Sequence, residues 1–210
     1  MQIGEQIRNI KKQLGSTILV AATKGRTIEE IQKVIDVGIR IIGENYVQEA
    51  VEKHTRLAGK VSFHLIGHLQ RNKVRKAVEI FDMIQSVDSL SLAQKINEEC
   101  AKINKTMPVL IEVNIAGEKN KTGRAPEEVK ELAAEISKLP NLQLQGLMAM
   151  APYFSDNEKI RPYFKEMKKI FDALQKEYNL SVLSMGMSES YQSAIEEGAT
   201  MVRIGRKLFE

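Results

Sequence analysis

Short apolar runs alternate with longer amphipathic segments along the whole of this 210-residue chain. The runs fall near residues 17–22, 39–42, 61–66, 83–87, 108–114, 142–148, 181–185 and 200–204. Helical patterning fills 27–37, 45–57, 70–79, 89–103, 126–138, 158–177 and 190–197. Unbroken apolar runs are what strands buried on both faces look like, and strand–helix alternation argues for a parallel sheet. Eight such units in series predict one α/β domain over residues 1–210: a single (β/α)8 TIM barrel with an extra N-terminal helix, near the short end for that fold. The alternative is an open doubly wound sheet, but no Gly-x-Gly-x-x-Gly follows the first run.

Local signals agree. Thr27 is placed to cap the 27–37 helix, Glu29 and Glu30 suit its positive end, and Gly38 stops it. Pro126 with Glu127 and Glu128 has the composition of a first helical turn. No linker or low-complexity tract divides the chain. Hydrophobic residues at 43% and charged residues at 28% fit a soluble globular protein, and no run of about 18 apolar residues is present to span a membrane. The first residues, Met1-Gln-Ile-Gly-Glu-Gln-Ile-Arg8, read as an amphipathic helix rather than a signal peptide. The single cysteine, Cys100, permits no internal disulfide, so a cytoplasmic location is expected.

The net charge of +4 is mildly basic. The clusters Arg71–Lys76 and Lys119–Arg124 lack interleaved aromatics, so nucleic-acid binding is not expected. His54, His64 and His68 give no metal reading, because no cysteine or acid completes a ligand set.

In a barrel, chemistry collects at the carboxyl ends of the strands. Lys24 follows the first run directly, where a dry environment would depress an amine's pKa and suit it to Schiff-base chemistry. Taken alone, it reads more readily as an ordinary lysine that snorkels to water. Asn45, Asn114, Ser188 and Arg203 end other strands and could share a mouth with it, while Ser86 is expected just after the fourth. Glu44 and Glu112 are the only acids near strand ends, and either could simply be solvated. Barrels often bind phosphate after strands seven and eight. Here Gly186-Met-Ser188 precedes a helix and Arg203-Ile-Gly205-Arg206 precedes a final turn. Ser188 can donate a hydroxyl, and Gly205 permits close backbone approach. Helix capping by Ser188 and a bare turn at Gly205 are the plainer alternatives. An amine at strand one with a phosphate cup at strands seven and eight suits pyridoxal 5'-phosphate.

At this point the chain resembles the pyridoxal phosphate homeostasis proteins (the YggS/PROSC family), with a barrel similar to the N-terminal domain of alanine racemase. The resemblance rests on Leu19–Lys24, Ile42–Glu49, Phe63–Lys73, Val113-Asn114 with Lys121-Thr-Gly123, Gly146-Leu-Met148, Ser184–Ser188 and Met201–Gly205. It implies that Lys24 carries the cofactor as a Schiff base, that Arg203 faces the pyridine nitrogen, and that Ser188, Gly205 and the amide of Arg206 hold the phosphate. Asn45 and Met148 would lie near the ring. Two positions depart from the family pattern: Ser190 stands where an Asp is usual and Arg206 where a Thr is common. The resemblance implies a cytoplasmic monomer that buffers or delivers the cofactor, with apo-enzymes as transient recipients, and without established turnover. An amino-acid racemase is the alternative, although that chemistry draws on a second domain. A sugar-phosphate lyase acting through Lys24 is a further one.

Overall fold

A computed structural model describes residues 3–118, 121–152, 154 and 157–209, so Lys119 of the second basic cluster lies outside the described residues, as do Met1 and Gln2. All eight expected strands form, and they pair in chain order into a closed parallel barrel. They are β1 (Ile18–Ala22), β2 (Ile41–Glu44), β3 (Ser62–Leu65), β4 (Met83–Val87), β5 (Met107–Val113), β6 (Leu142–Ala149), β7 (Val182–Ser184) and β8 (Met201–Ile204). β8 closes on β1, with Ile18 opposite Met201 and Ala21 opposite Ile204.

Helix α1 (Ile3–Leu14) precedes the barrel. The strands then alternate with α2 (Ile28–Asp36), α3 (Val47–Leu57), α4 (Val74–Ile80), α5 (Leu90–Lys102), α6 (Val129–Ile136), α7 (Arg161–Tyr178) and α8 (Tyr191–Glu196). A last turn, α9 (Arg206–Phe209), follows β8.

The second strand starts two residues later than the sequence pattern suggests, and the end of α2 explains why. Gly38 adopts φ +89, and the amides of Gly38 and Ile39 return to the carbonyls of Ile35 (2.8 Å) and Val34 (3.0 Å). This glycine-based helix stop satisfies orphan carbonyls and uses Ile39 as its apolar contact. Ile39 therefore belongs to the helix end. At the other end Thr27 and Glu30 form a reciprocal capping box, as their spacing requires.

Side chains alternate along each strand, so the barrel has two faces. The outer face packs under the helices through Ala21, Ile42, Phe63, Ile111, Leu147 and Val202. The inner face carries an apolar layer of Val20, Met83, Leu110, Met148, Val182 and Met201. One step nearer the carboxyl end, the inward positions turn polar: His64, Gln85, Glu112, Ser184 and Arg203, all buried. Layered filling of this kind makes the barrel a packed core rather than a pore.

Gly146 sets how closely β6 and β7 approach. A Cβ there would lie 1.7 Å from the carbonyl oxygen of Val182, a backbone atom that cannot step aside. Gly146→Ala is expected to destabilise the barrel by about 3 kcal/mol, the upper end for overpacking, read as a lower urea midpoint at unchanged m-value.

Candidate functional site

A cavity of about 400 Å³ opens at the carboxyl ends of the strands, on the β1, β7 and β8 side. It brings together Lys24, Asn45, Ser188, Arg203, Gly205 and Arg206, residues drawn from sequence positions up to 182 apart. Met150, Pro152, Phe154 and Ile160 supply an apolar wall, with Ala22 and Ile66 at the strand ends. Met148 is not among the lining residues. It points into the apolar layer beneath, and Met150 and Met187 are the methionines at the cavity. Asn114 also turns away: its amide donates to the Glu118 carbonyl at 2.9 Å and accepts from the Glu118 amide at 3.2 Å, closing its own loop.

Lys24 does not sit in a dry core. β1 ends at Ala22, Thr23 is the fully buried residue, and Lys24 is exposed on the turn that follows. Among the described residues its ammonium has no hydrogen-bond or ion-pair partner, so it is free to meet a ligand.

The turn itself is held firmly from below. Buried Lys53 of α3 donates to the Thr23 carbonyl (2.7 Å), to Glu44 Oε1 (2.7 Å) and to Glu49 Oε1 (2.6 Å), which uses all three of its N–H groups. The Thr23 hydroxyl donates to Glu44 Oε1, and the Gly25 amide donates to Glu49 Oε1 at 2.6 Å. The residues on either side of Lys24 are thus both tied to the β2–α3 unit. Glu44 is fully buried rather than solvated, because at the end of β2 it faces α3 instead of water. Burial lifts its carboxyl above the ordinary range, against the pull of Lys53 and Thr23. The sequence signal for this clamp was present as Glu49 and Lys53 four apart on one helix face.

Asn45 follows β2 and is held by a close backbone approach. A Cβ on Gly67 would fall 2.4 Å from the Asn45 carbonyl oxygen, so only glycine fits there. Ser86 lies within β4, not after it, and its hydroxyl donates to the Gly67 carbonyl at 2.7 Å.

Arg203 projects from β8 and is buried. Its Nη1 donates to the Ser184 carbonyl (2.9 Å) and hydroxyl (2.7 Å), and its Nη2 donates to the Ala149 carbonyl (2.8 Å). Desolvation pulls its pKa down to about 10, with Glu112 acting the other way, so the guanidinium stays charged at neutral pH. Glu112 is buried as well, since it points into the barrel. Burial raises its pKa, and Thr122 donates to its Oε1 at 2.8 Å.

The two segments of the expected phosphate cup touch one another. The amide of Lys207 donates to Ser188 Oγ at 3.4 Å, and its ammonium reaches the Ser188 carbonyl at 3.2 Å. Ser188 is not the helix cap; Ser190 occupies that position before α8. Arg206 pairs with Glu189 at 3.1 Å across the rim. The hydroxyl missing at Arg206 is therefore replaced by a guanidinium with a carboxylate beside it.

The family model of the alanine racemase N-terminal domain matches residues 2–210. The pyridoxal phosphate homeostasis protein of Aquifex aeolicus is 43% identical over 194 residues, covering 91% of this chain and 85% of that protein. PipY of Synechococcus elongatus, solved without pyridoxal phosphate, superposes with a TM-score of 0.94 at 34% identity over the whole of both chains. The same protein with pyridoxal phosphate bound gives 0.92 at 33% identity, again over both whole chains. The chain belongs to the alanine racemase N-terminal domain family, in its pyridoxal phosphate homeostasis branch.

Proposed function

We propose that this protein binds pyridoxal 5'-phosphate in the β1/β7/β8 cavity and buffers or delivers it. The observation that carries this reading is the convergence on a single cavity of the Lys24 amine, without a partner among the described residues, and the buried Arg203 guanidinium. The name of the Aquifex aeolicus relative and the cofactor bound in PipY support it. The donor set fits the group. Lys24 supplies the amine for the aldehyde, Arg203 faces the ring nitrogen, Asn45 borders the ring, and Ser188 with the Gly205–Arg206 backbone takes the phosphate. Met148 supports the floor from beneath.

Bound pyridoxal phosphate supplies an aldehyde for reversible attachment and a ring that can draw electrons. Arg203 limits the second property. A guanidinium only donates, so the nitrogen facing it is an unprotonated acceptor and the ring is a weak electron sink. The protein acts as a monomeric carrier, with apo-enzymes as recipients, rather than as a racemase.

Reduction of the loaded protein with borohydride followed by peptide mapping tests the attachment. The pyridoxyl group is expected on Lys24, and finding it on another lysine would sink the assignment. Incubation of the same protein with single amino-acid enantiomers is expected to give turnover below about 1 per second, the low edge of ordinary enzymes.

The phosphate side has its own test. Ser188→Ala removes one hydrogen bond to a charged acceptor, and about 1.5–3 kcal/mol of affinity is expected to go with it. Gly205→Val is expected to cost more. Even its Cβ would stand 3.3 Å from both the Cβ and the carbonyl oxygen of Ala22, and the two methyls crowd the cup further. If equilibrium titration shows both variants binding as wild type does, the phosphate lies elsewhere.

A further inference from the structure

The polar layer inside the barrel contains a histidine that the proposed carrier function does not use. His64 is 5% exposed, lies on β3 three strands from β8, and does not line the cavity. It is joined to Arg203 through two fully buried residues. Ser184 Oγ lies 2.7 Å from Arg203 Nη1 and 2.7 Å from Gln85 Oε1, and Gln85 Nε2 lies 3.0 Å from His64 Nδ1.

The direction of every link is fixed. Arginine has donors only, so Ser184 Oγ accepts from it. The one hydroxyl proton of Ser184 then goes to Gln85, which must offer its oxygen. Met201 favours this amide orientation. Its sulfur, an acceptor, stands 3.2 Å from Gln85 Nε2, so the NH2 group faces Met201 and His64. His64 Nδ1 must therefore accept, and the imidazole carries its single proton on Nε2. Burial keeps the ring neutral at working pH, with a pKa near 4 despite the nearby charge of Asp82.

We infer that His64 is a positioning residue for Arg203: by accepting the last hydrogen bond of a one-way chain, it holds the guanidinium so that its two uncommitted N–H groups serve the cavity's ligand. Three of the five N–H groups of Arg203 are taken by Ser184 and Ala149. Without an acceptor at the His64 end, only the weak acceptor Met201 and the Ser184 hydroxyl hold the Gln85 amide against a flip. Once flipped, its NH2 would point at Ser184 and compete with Arg203 for the same oxygen. The inference rests on pyridoxal phosphate meeting Arg203, so its test includes a readout that needs no cofactor.

Nitrogen NMR of the apo-protein at pH 7 is expected to show His64 as the Nε2–H tautomer. A protonated Nδ1 overturns the chain outright. In cofactor titrations, His64→Leu removes the acceptor and is expected to weaken binding about five-fold, the worth of one neutral hydrogen bond. It is also expected to change the pH dependence of the bound cofactor's absorption. His64→Asn places a carbonyl oxygen where Nδ1 stood and is expected to stay within about two-fold of wild type, since one acceptor replaces another. Equal weakening by Leu and Asn would reduce His64 to packing and overturn the proposal. Arg203→Lys serves as the control. Weakened binding by that variant with none by His64→Leu overturns the positioning role alone. Wild-type binding by both overturns the ligand reading of Arg203 along with it.

Discussion

A Lys24→Ala protein is expected to trap no pyridoxyl group on borohydride reduction, while its unfolding free energy stays within about 0.5 kcal/mol of wild type, the usual span for exposed substitutions. The two halves of that expectation have different origins. Loss of trapping follows from removing the amine that reaches the cavity. Retained stability follows because Lys24 is exposed and, among the described residues, holds no partner. The turn around it is tied through Thr23 and Gly25, whose bonds to Lys53 and Glu49 use backbone atoms that alanine leaves in place. Lys24→Arg makes the sharper control, keeping the charge without the nucleophile, and it too is expected to trap nothing. Pyridoxyl-modified peptide recovered from either variant would move the attachment to another lysine.

Lys53→Met is expected to do the reverse, costing about 3–5 kcal/mol of stability at pH 8, the penalty for leaving one partner of a buried ion pair uncompensated. Glu44 would keep its place at the end of β2 with neither oxygen facing a cation. Its Oε2 already has no hydrogen-bond partner among the described residues. The deficit carries a pH signature. The folded-state pKa of Glu44 lies above the ordinary carboxyl value of 4.5, and removing Lys53 raises it further. Folded protein then binds the Glu44 proton more readily than unfolded protein does. Stability therefore rises as pH falls through the raised pKa towards 4.5. The gap between Lys53→Met and wild type should narrow on acidification, in urea melts at pH 8 and pH 5. A gap that is constant with pH would mean that lost packing, not a stranded carboxylate, is the cause.

Where the sequence was legible, it was because a repeating physical demand left a repeating trace. Strands buried on both faces must be apolar throughout, and so all eight are countable in the sequence. Glycines at helix ends and a threonine with a glutamate three residues on mark boundaries for similar reasons. The failures share a different cause. Whether a strand-end residue faces the barrel, the helices or water changes with each step along the chain, and a one-residue uncertainty in where the strand stops reverses the answer. Thr23 and Lys24 exchange burial in this way. Glu44 turns towards α3 and Glu112 towards the interior, and Met148 and Met150 divide between the packed layer and the cavity wall. Asn114 was in register with the mouth but is consumed by its own loop, a local hydrogen bond that no strand pattern reports.

The clamp beneath Lys24 also bears on how cargo comes and goes. With the backbone pinned at the residues before and after it, the amine moves only by rotation about the bonds of its own side chain, like a mooring line on a fixed bollard. Taking up a ligand then asks for no refolding of a loop and no repacking of the barrel. Little conformational entropy is lost beyond that of one lysine stem, about 2 kcal/mol at most. Such a berth fills and empties at a rate set by the chemistry at the amine and by water's access to it, with the barrel standing still throughout.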